Sequence, residues 1–90
     1  MPPTDESKPR LAPGCRWGGT PEQRVILFPE GAIKLQSTGL QVLELCDGKR
    51  TFGEIIVTLQ SQFTSADPGK IRGDISAFLD QLQKKRIVDY

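Results

Sequence analysis

Ninety residues, 37% apolar and 26% charged, provide one domain with a thin core. Twelve basic residues against eleven acidic leave a net charge of +1, which gives no strong field for nucleic acid or an anionic membrane. With no histidine the commonest general base is missing, and Cys15 and Cys46 lack the CxxC spacing of a zinc site, so no metal ligands and no catalytic set are assigned.

Residues 1–13 hold four prolines among polar residues and read as a flexible N-terminal arm, with 14–90 as a single recognition domain. The arm has no apolar signal-peptide centre, and no run approaches the roughly 20 residues needed to cross a bilayer. A cytoplasmic, membrane-free protein is therefore expected. Cys15–Trp17 forms a candidate first strand ahead of Gly18 and Gly19, with Trp17 closing the open end of the core. Two free thiols are favoured over a disulfide, Cys46 as a small core residue.

The stretch Arg24–Leu35, RVILFPEGAIKL, organises the chain. Val25–Phe28 is apolar at every position, so both faces are covered or one is used by a partner. Pro29-Glu30-Gly31 turns the chain, and Gly31 can take positive φ in a short hairpin loop. Ala32–Leu35 alternates: Ile33 and Leu35 share a face and Lys34 looks the other way. A hairpin alone is marginal in water and must pack on a helical layer. Its second strand is expected to keep a free edge that recruits another chain.

Three helices follow. The first begins near Ser37-Thr38, with Thr38 and Gln41 spaced as a capping box, presents Leu40, Leu43 and Leu45-Cys46, and ends at Asp47-Gly48. The second opens on a capping box, Thr51 to Glu54, and carries Phe52, Ile55, Ile56, Leu59 and Phe63 on one face, with Val57 off the stripe. The third opens at Asp67-Pro68 and buries Ile71, Ile75, Phe78, Leu79 and Leu82. Gly73 within it is expected to admit a close backbone neighbour, and Lys84-Lys85-Arg86 complements its dipole. Ile87-Val88 is a last extended piece that can pair with the hairpin. The fold class is α+β: a small N-terminal antiparallel β-sheet of about three strands, then three α-helices, in a winged helix-turn-helix-like layout.

The ordered segments Pro9–Arg16, Leu27-Phe28-Pro29-Glu30, Ile33-Lys34-Leu35, Leu45-Cys46-Asp47-Gly48, Glu54-Ile55 and Asp74-Ile75-x-x-Phe78-Leu79-x-x-Leu82 resemble the PqqD family of pyrroloquinoline quinone (PQQ) biosynthesis. Gly31 departs from the Arg that many members carry there. The resemblance implies a non-catalytic peptide chaperone, a recognition element that binds the precursor peptide PqqA. It would present that peptide to PqqE, a radical S-adenosylmethionine enzyme, and carry no cofactor of its own. It also implies that the peptide lies as an added strand beside Ala32, Ile33, Lys34, Leu35 and Gln36, against a wall of Arg72, Ile75, Ser76 and Leu79. Arg72 and Lys34 would serve acidic peptide residues, and Asp74 is either a salt-bridge member or a groove acceptor. A homodimer through the open edge is a further expected form. The rivals are a winged-helix DNA-binding module, against which the third helix mixes Asp74 and Asp80 with its cations, and a small enzyme with Cys15 as nucleophile but no activating base.

Overall fold

The computed structural model describes residues 2–35, 37–63 and 67–90. Their elements are β1 (Arg10–Leu11), β2 (Arg16–Gly19), β3 (Arg24–Phe28), β4 (Gly31–Lys34), α1 (Ser37–Glu44), α2 (Phe52–Gln62), α3 (Pro68–Lys84) and β5 (Val88–Asp89). This is the expected α+β arrangement, antiparallel strands followed by three helices. One sheet has the order β2-β3-β4, and β1 pairs with β5 in a second ladder.

The hairpin forms because Phe28 pairs with Gly31, leaving Pro29 and Glu30 as a two-residue loop. Gly31 sits at φ 153°, a conformation that side chains disfavour. Ile26, in the central strand, is fully buried and lies opposite Ile33. Trp17 pairs with Ile26 from β2, and the Arg24 guanidinium lies 4.1 Å from its ring centroid. The core then runs through Leu35, Val42, Leu43, Cys46, the α2 stripe Phe52, Ile55, Ile56 and Leu59, and the α3 stripe Ile71, Ile75, Leu79 and Leu82. Val57, off the α2 stripe, is 66% exposed.

The start of α2 is fully satisfied. Thr51 Oγ1 accepts from the Glu54 N–H at 3.1 Å, and the Glu54 carboxylate accepts from the Thr51 N–H at 2.9 Å. The first two helical N–H groups would otherwise lack partners. Phe52 donates to the Ser7 carbonyl at 2.6 Å and Gly53 to the Asp5 carbonyl at 3.1 Å, so the arm supplies the missing acceptors. Pro3 and Pro9 are buried, and the Asp5 carboxylate reaches Arg72 at 2.6 Å.

Four local expectations are corrected. The segment after α3 pairs with β1 rather than with the hairpin: Leu11 lies opposite Val88 and Arg10 opposite Asp89. Helix α1 ends at Glu44, short of Asp47-Gly48, because Leu45 and Cys46 donate to Val42 and Leu43 three residues back, tightening the last turn. Asp47 instead builds its own turn, accepting from the N–H groups of Lys49 and Arg50, while the Gly48 N–H goes to Pro9. Thr38 lies inside α1, not at its cap; Gln36, which precedes the helix, is outside the described residues. Gly73 faces solvent, and a Cβ placed on it would meet no described neighbour within 4 Å.

Leu79 is fully buried, so Leu79→Ala is expected to cost about 2–5 kcal/mol and lower Tm by at least about 8 °C. Asp5→Ala removes only an exposed ion pair and leaves the capping carbonyl, so its cost stays below about 1 kcal/mol. Thermal and urea unfolding of the two variants check this order.

Two carboxylates report on the turns. The Lys49 N–H, and then that of Arg50, holds the Asp47 carboxyl below its ordinary range. The Thr51 N–H does the same for Glu54. Both values are depressed in the folded chain, so the stability they add is present above the unfolded carboxylate range of about 4 and is lost as pH falls through the lower folded values. Glu54→Gln is expected to lose less stability than the parent between about pH 5 and pH 3, measured by urea unfolding across that range.

Candidate functional site: a free strand edge beside an apolar groove

Strand β4 has β3 on one side and no described strand on the other. The Leu35 N–H donates to the Arg24 carbonyl at 3.2 Å, which sets the phase of the ladder. Hydrogen-bonded and non-hydrogen-bonded pairs alternate in an antiparallel ladder. Ile33 and Gly31 therefore turn their polar groups toward β3, and Ala32 and Lys34 turn theirs outward. The edge offers two N–H and two C=O groups to an incoming strand.

Beside that edge lies a groove of about 430 Å³. Ile33, Lys34 and Leu35 form one wall, Thr38, Gly39 and Val42 of α1 a second, and Asp74, Ile75 and Phe78 of α3 the third. Gly39 matters sterically: a Cβ there would stand 3.3 Å from the Phe78 ring. The groove holds its depth because that carbon is absent.

Of the expected site residues, the structure brings Ile33, Lys34, Leu35 and Ile75 together. Ala32 is exposed on the same strand and contributes main chain to the edge. Gln36 lies outside the described residues. Arg72, Ser76 and Leu79 are not brought into the groove. Arg72 is on the flank of α3 toward α2, paired with Asp5 and 5.5 Å from the Phe52 ring centroid. Ser76 is half-buried away from the lining, and Leu79 is fully enclosed in the core. Asp74 and Phe78 take their places on the opposite flank.

The α1 wall was not anticipated. Val42 is buried one position before Leu43 and four before Cys46, a spacing that marks it as inward-facing. Gly39, one turn ahead of Leu43, was the available signal for a shallow place on that helix.

No described cluster of three or more His, Cys, Asp or Glu can hold a metal ion, and no described helix is long and apolar enough to cross a membrane. Both cysteines are free. Burial, then the nearby Asp47, pushes the Cys46 thiol up to about 12. Burial, then Glu30, raises that of Cys15, whose Sγ donates to the Arg86 carbonyl at 3.5 Å. Nucleophilic sulfur needs the opposite shift.

Residues 23–88 match the family model for coenzyme PQQ synthesis protein D (PqqD). The PqqA binding protein of Pseudomonas aeruginosa strain UCBPP-PA14 is 39% identical over 80 residues, covering 87% of this chain and 85% of that protein. The PqqA binding protein of Kluyvera intermedia is 38% identical over 64 residues, covering 71% of this chain and 67% of that one. A solution NMR structure, the PqqD truncation of Methylobacterium extorquens PqqCD, has the same fold at TM-score 0.71 and 34% identity, covering 91% of this chain and 88% of that one. It is described as a functional and stand-alone recognition element for ribosomally synthesized and post-translationally modified peptides. By the family model, the curated relatives and the shared fold, this chain of antiparallel strands and three helices belongs to the PqqD family.

Proposed function

We propose that this chain is a non-catalytic peptide chaperone of PQQ biosynthesis. It binds the PqqA precursor peptide by adding it as a strand to β4 and presents it to the radical S-adenosylmethionine enzyme PqqE. The observation that carries this reading is the outward main chain of Ala32 and Lys34 next to a groove that accepts side chains. Strand addition obtains affinity from backbone hydrogen bonds and specificity from pockets for alternate side chains. Ile33, Leu35, Ile75 and Phe78 provide the apolar part of such a pocket. The names of the relatives support PqqA as the guest. The neutral thiols support a binding role without chemistry, carried out in the cytoplasm.

Titration of the chain with PqqA peptide is expected to give micromolar affinity or better, about −8 kcal/mol. On binding, the amides of Ala32 and Lys34 become protected from hydrogen exchange, while that of Ile33, already bonded to β3, changes little. Unchanged exchange at both outward amides would remove the strand-addition reading.

Gly39→Leu tests the groove separately from the edge. It places side-chain volume against Phe78, leaves the β4 sequence unchanged and raises the intrinsic helix preference of α1. The expected result is at least a roughly 10-fold loss of peptide affinity, about 1.4 kcal/mol, with Tm within a few degrees of the parent. Calorimetry on the folded variant checks both values.

A further inference from the structure

Two charged residues at the site have no role in holding the fold. Lys34 and Asp74 both line the groove, and both are exposed. Neither makes an ion pair or a side-chain hydrogen bond with a described residue, whereas Arg10, Arg24, Arg50, Arg72 and Lys84 all do. They are also separated by the geometry of the sheet. Lys34 alternates with Ile33, so although the residue borders the groove its side chain belongs to the other face of β4, with Val25 as its cross-strand neighbour. Asp74 stands on α3, on the groove side.

An added strand would meet these charges in a fixed pattern, because its successive side chains also alternate between the two faces. The residue beside Lys34 falls on the outer face. Its neighbours on either side fall toward Ile33, Ile75 and Phe78, and the groove side that they enter carries Asp74.

We infer that Lys34 and Asp74 set the sequence and register of the guest, an inference that rests on the strand-addition reading above. The fitting guest is an extended segment with an acidic residue on the outer face next to Lys34. A bulky apolar residue adjacent to it enters the groove, and a basic residue on the groove side meets Asp74. Because the two charges are opposite in sign and on opposite faces, a slip of the guest by one residue turns its acidic side chain toward Asp74 and exposes its apolar one. Like charges brought together and an unfilled pocket then oppose the wrong register.

Charge reversal with rescue is the test. Full-length Lys34→Glu and Asp74→Lys are titrated with labelled synthetic PqqA peptide of Pseudomonas aeruginosa. Each is expected to bind about 3- to 10-fold more weakly than the parent, with unchanged Tm because neither residue bears on the fold. Peptides with single acidic residues changed to Lys should include one that restores the affinity of Lys34→Glu, and peptides with single basic residues changed to Glu one that restores Asp74→Lys. Parent-like affinity in either variant, or a loss that no single reversal restores, overturns the inference. Hydrogen exchange on the parent complex separates the two levels. Protection at Ala32 and Lys34 without charge rescue defeats the register rule alone, whereas no protection, or no binding by the parent, defeats strand addition and this inference with it.

Discussion

Among the described residues β4 is hydrogen-bonded to a strand on one side only, and this is the constraint from which the rest of the molecule follows. A main chain with half of its polar groups unpaired is tolerated only in contact with water, and such an edge is an aggregation hazard. This chain keeps it short: β4 spans Gly31–Lys34, with Lys34 on it and the Pro29 turn just before it. Leu35, nearly enclosed, then anchors the strand's end to the helices. The pairing with β3 holds this edge in extended form, so on the proposed strand-addition reading a guest would not have to order it. Such preorganisation is what turns a few backbone bonds into useful affinity.

Helices α1 and α3 serve that strand as much as they serve the core. Each presents a buried stripe inward and gives one flank to the groove: Thr38, Gly39 and Val42 from α1, Asp74, Ile75 and Phe78 from α3. Ile75 does both, being 3% exposed yet part of the groove lining. The remaining helix, α2, is kept in place from outside, its first N–H groups closed by the carbonyls of Asp5 and Ser7. The thin core of a ninety-residue chain is thereby supplemented by main-chain contacts that need no apolar volume.

Much of this was readable in the order of residues, because it depends on local chemistry. The Thr51–Glu54 box, Asp67-Pro68, the Pro29-Glu30-Gly31 loop and the stripes of α2 and α3 each follow from a few neighbouring side chains. The groove depends on something periodicity does not carry, namely which flank of α3 turns toward β4. Positions 72 and 76 and positions 74 and 78 border the same stripe on opposite sides, and only the packing of α2 against α3 chooses between them. Arg72 lies toward α2 for that reason, and Asp74 lies toward the strand. The partner of the last strand was equally hidden, since Val88 and Leu11 are separated by almost the whole chain. The role of α1 was missed because Gly39 signals by what it lacks.

The pairing of β1 with β5 has a mechanical consequence. Arg10 faces Asp89, so the polypeptide enters and leaves this part of the fold at the same end of one short antiparallel ladder. Tension applied through the two flanking stretches would peel that ladder apart one bond at a time instead of shearing all its bonds together. From the N-terminal side a pull must first free the carbonyls of Asp5, Ser7 and Pro9 from Gly53, Phe52 and Gly48, and only then does it reach the seam between beginning and end. A pull on the two ends thus loads the arm contacts and this short ladder ahead of β3 and β4, which belong to a separate sheet.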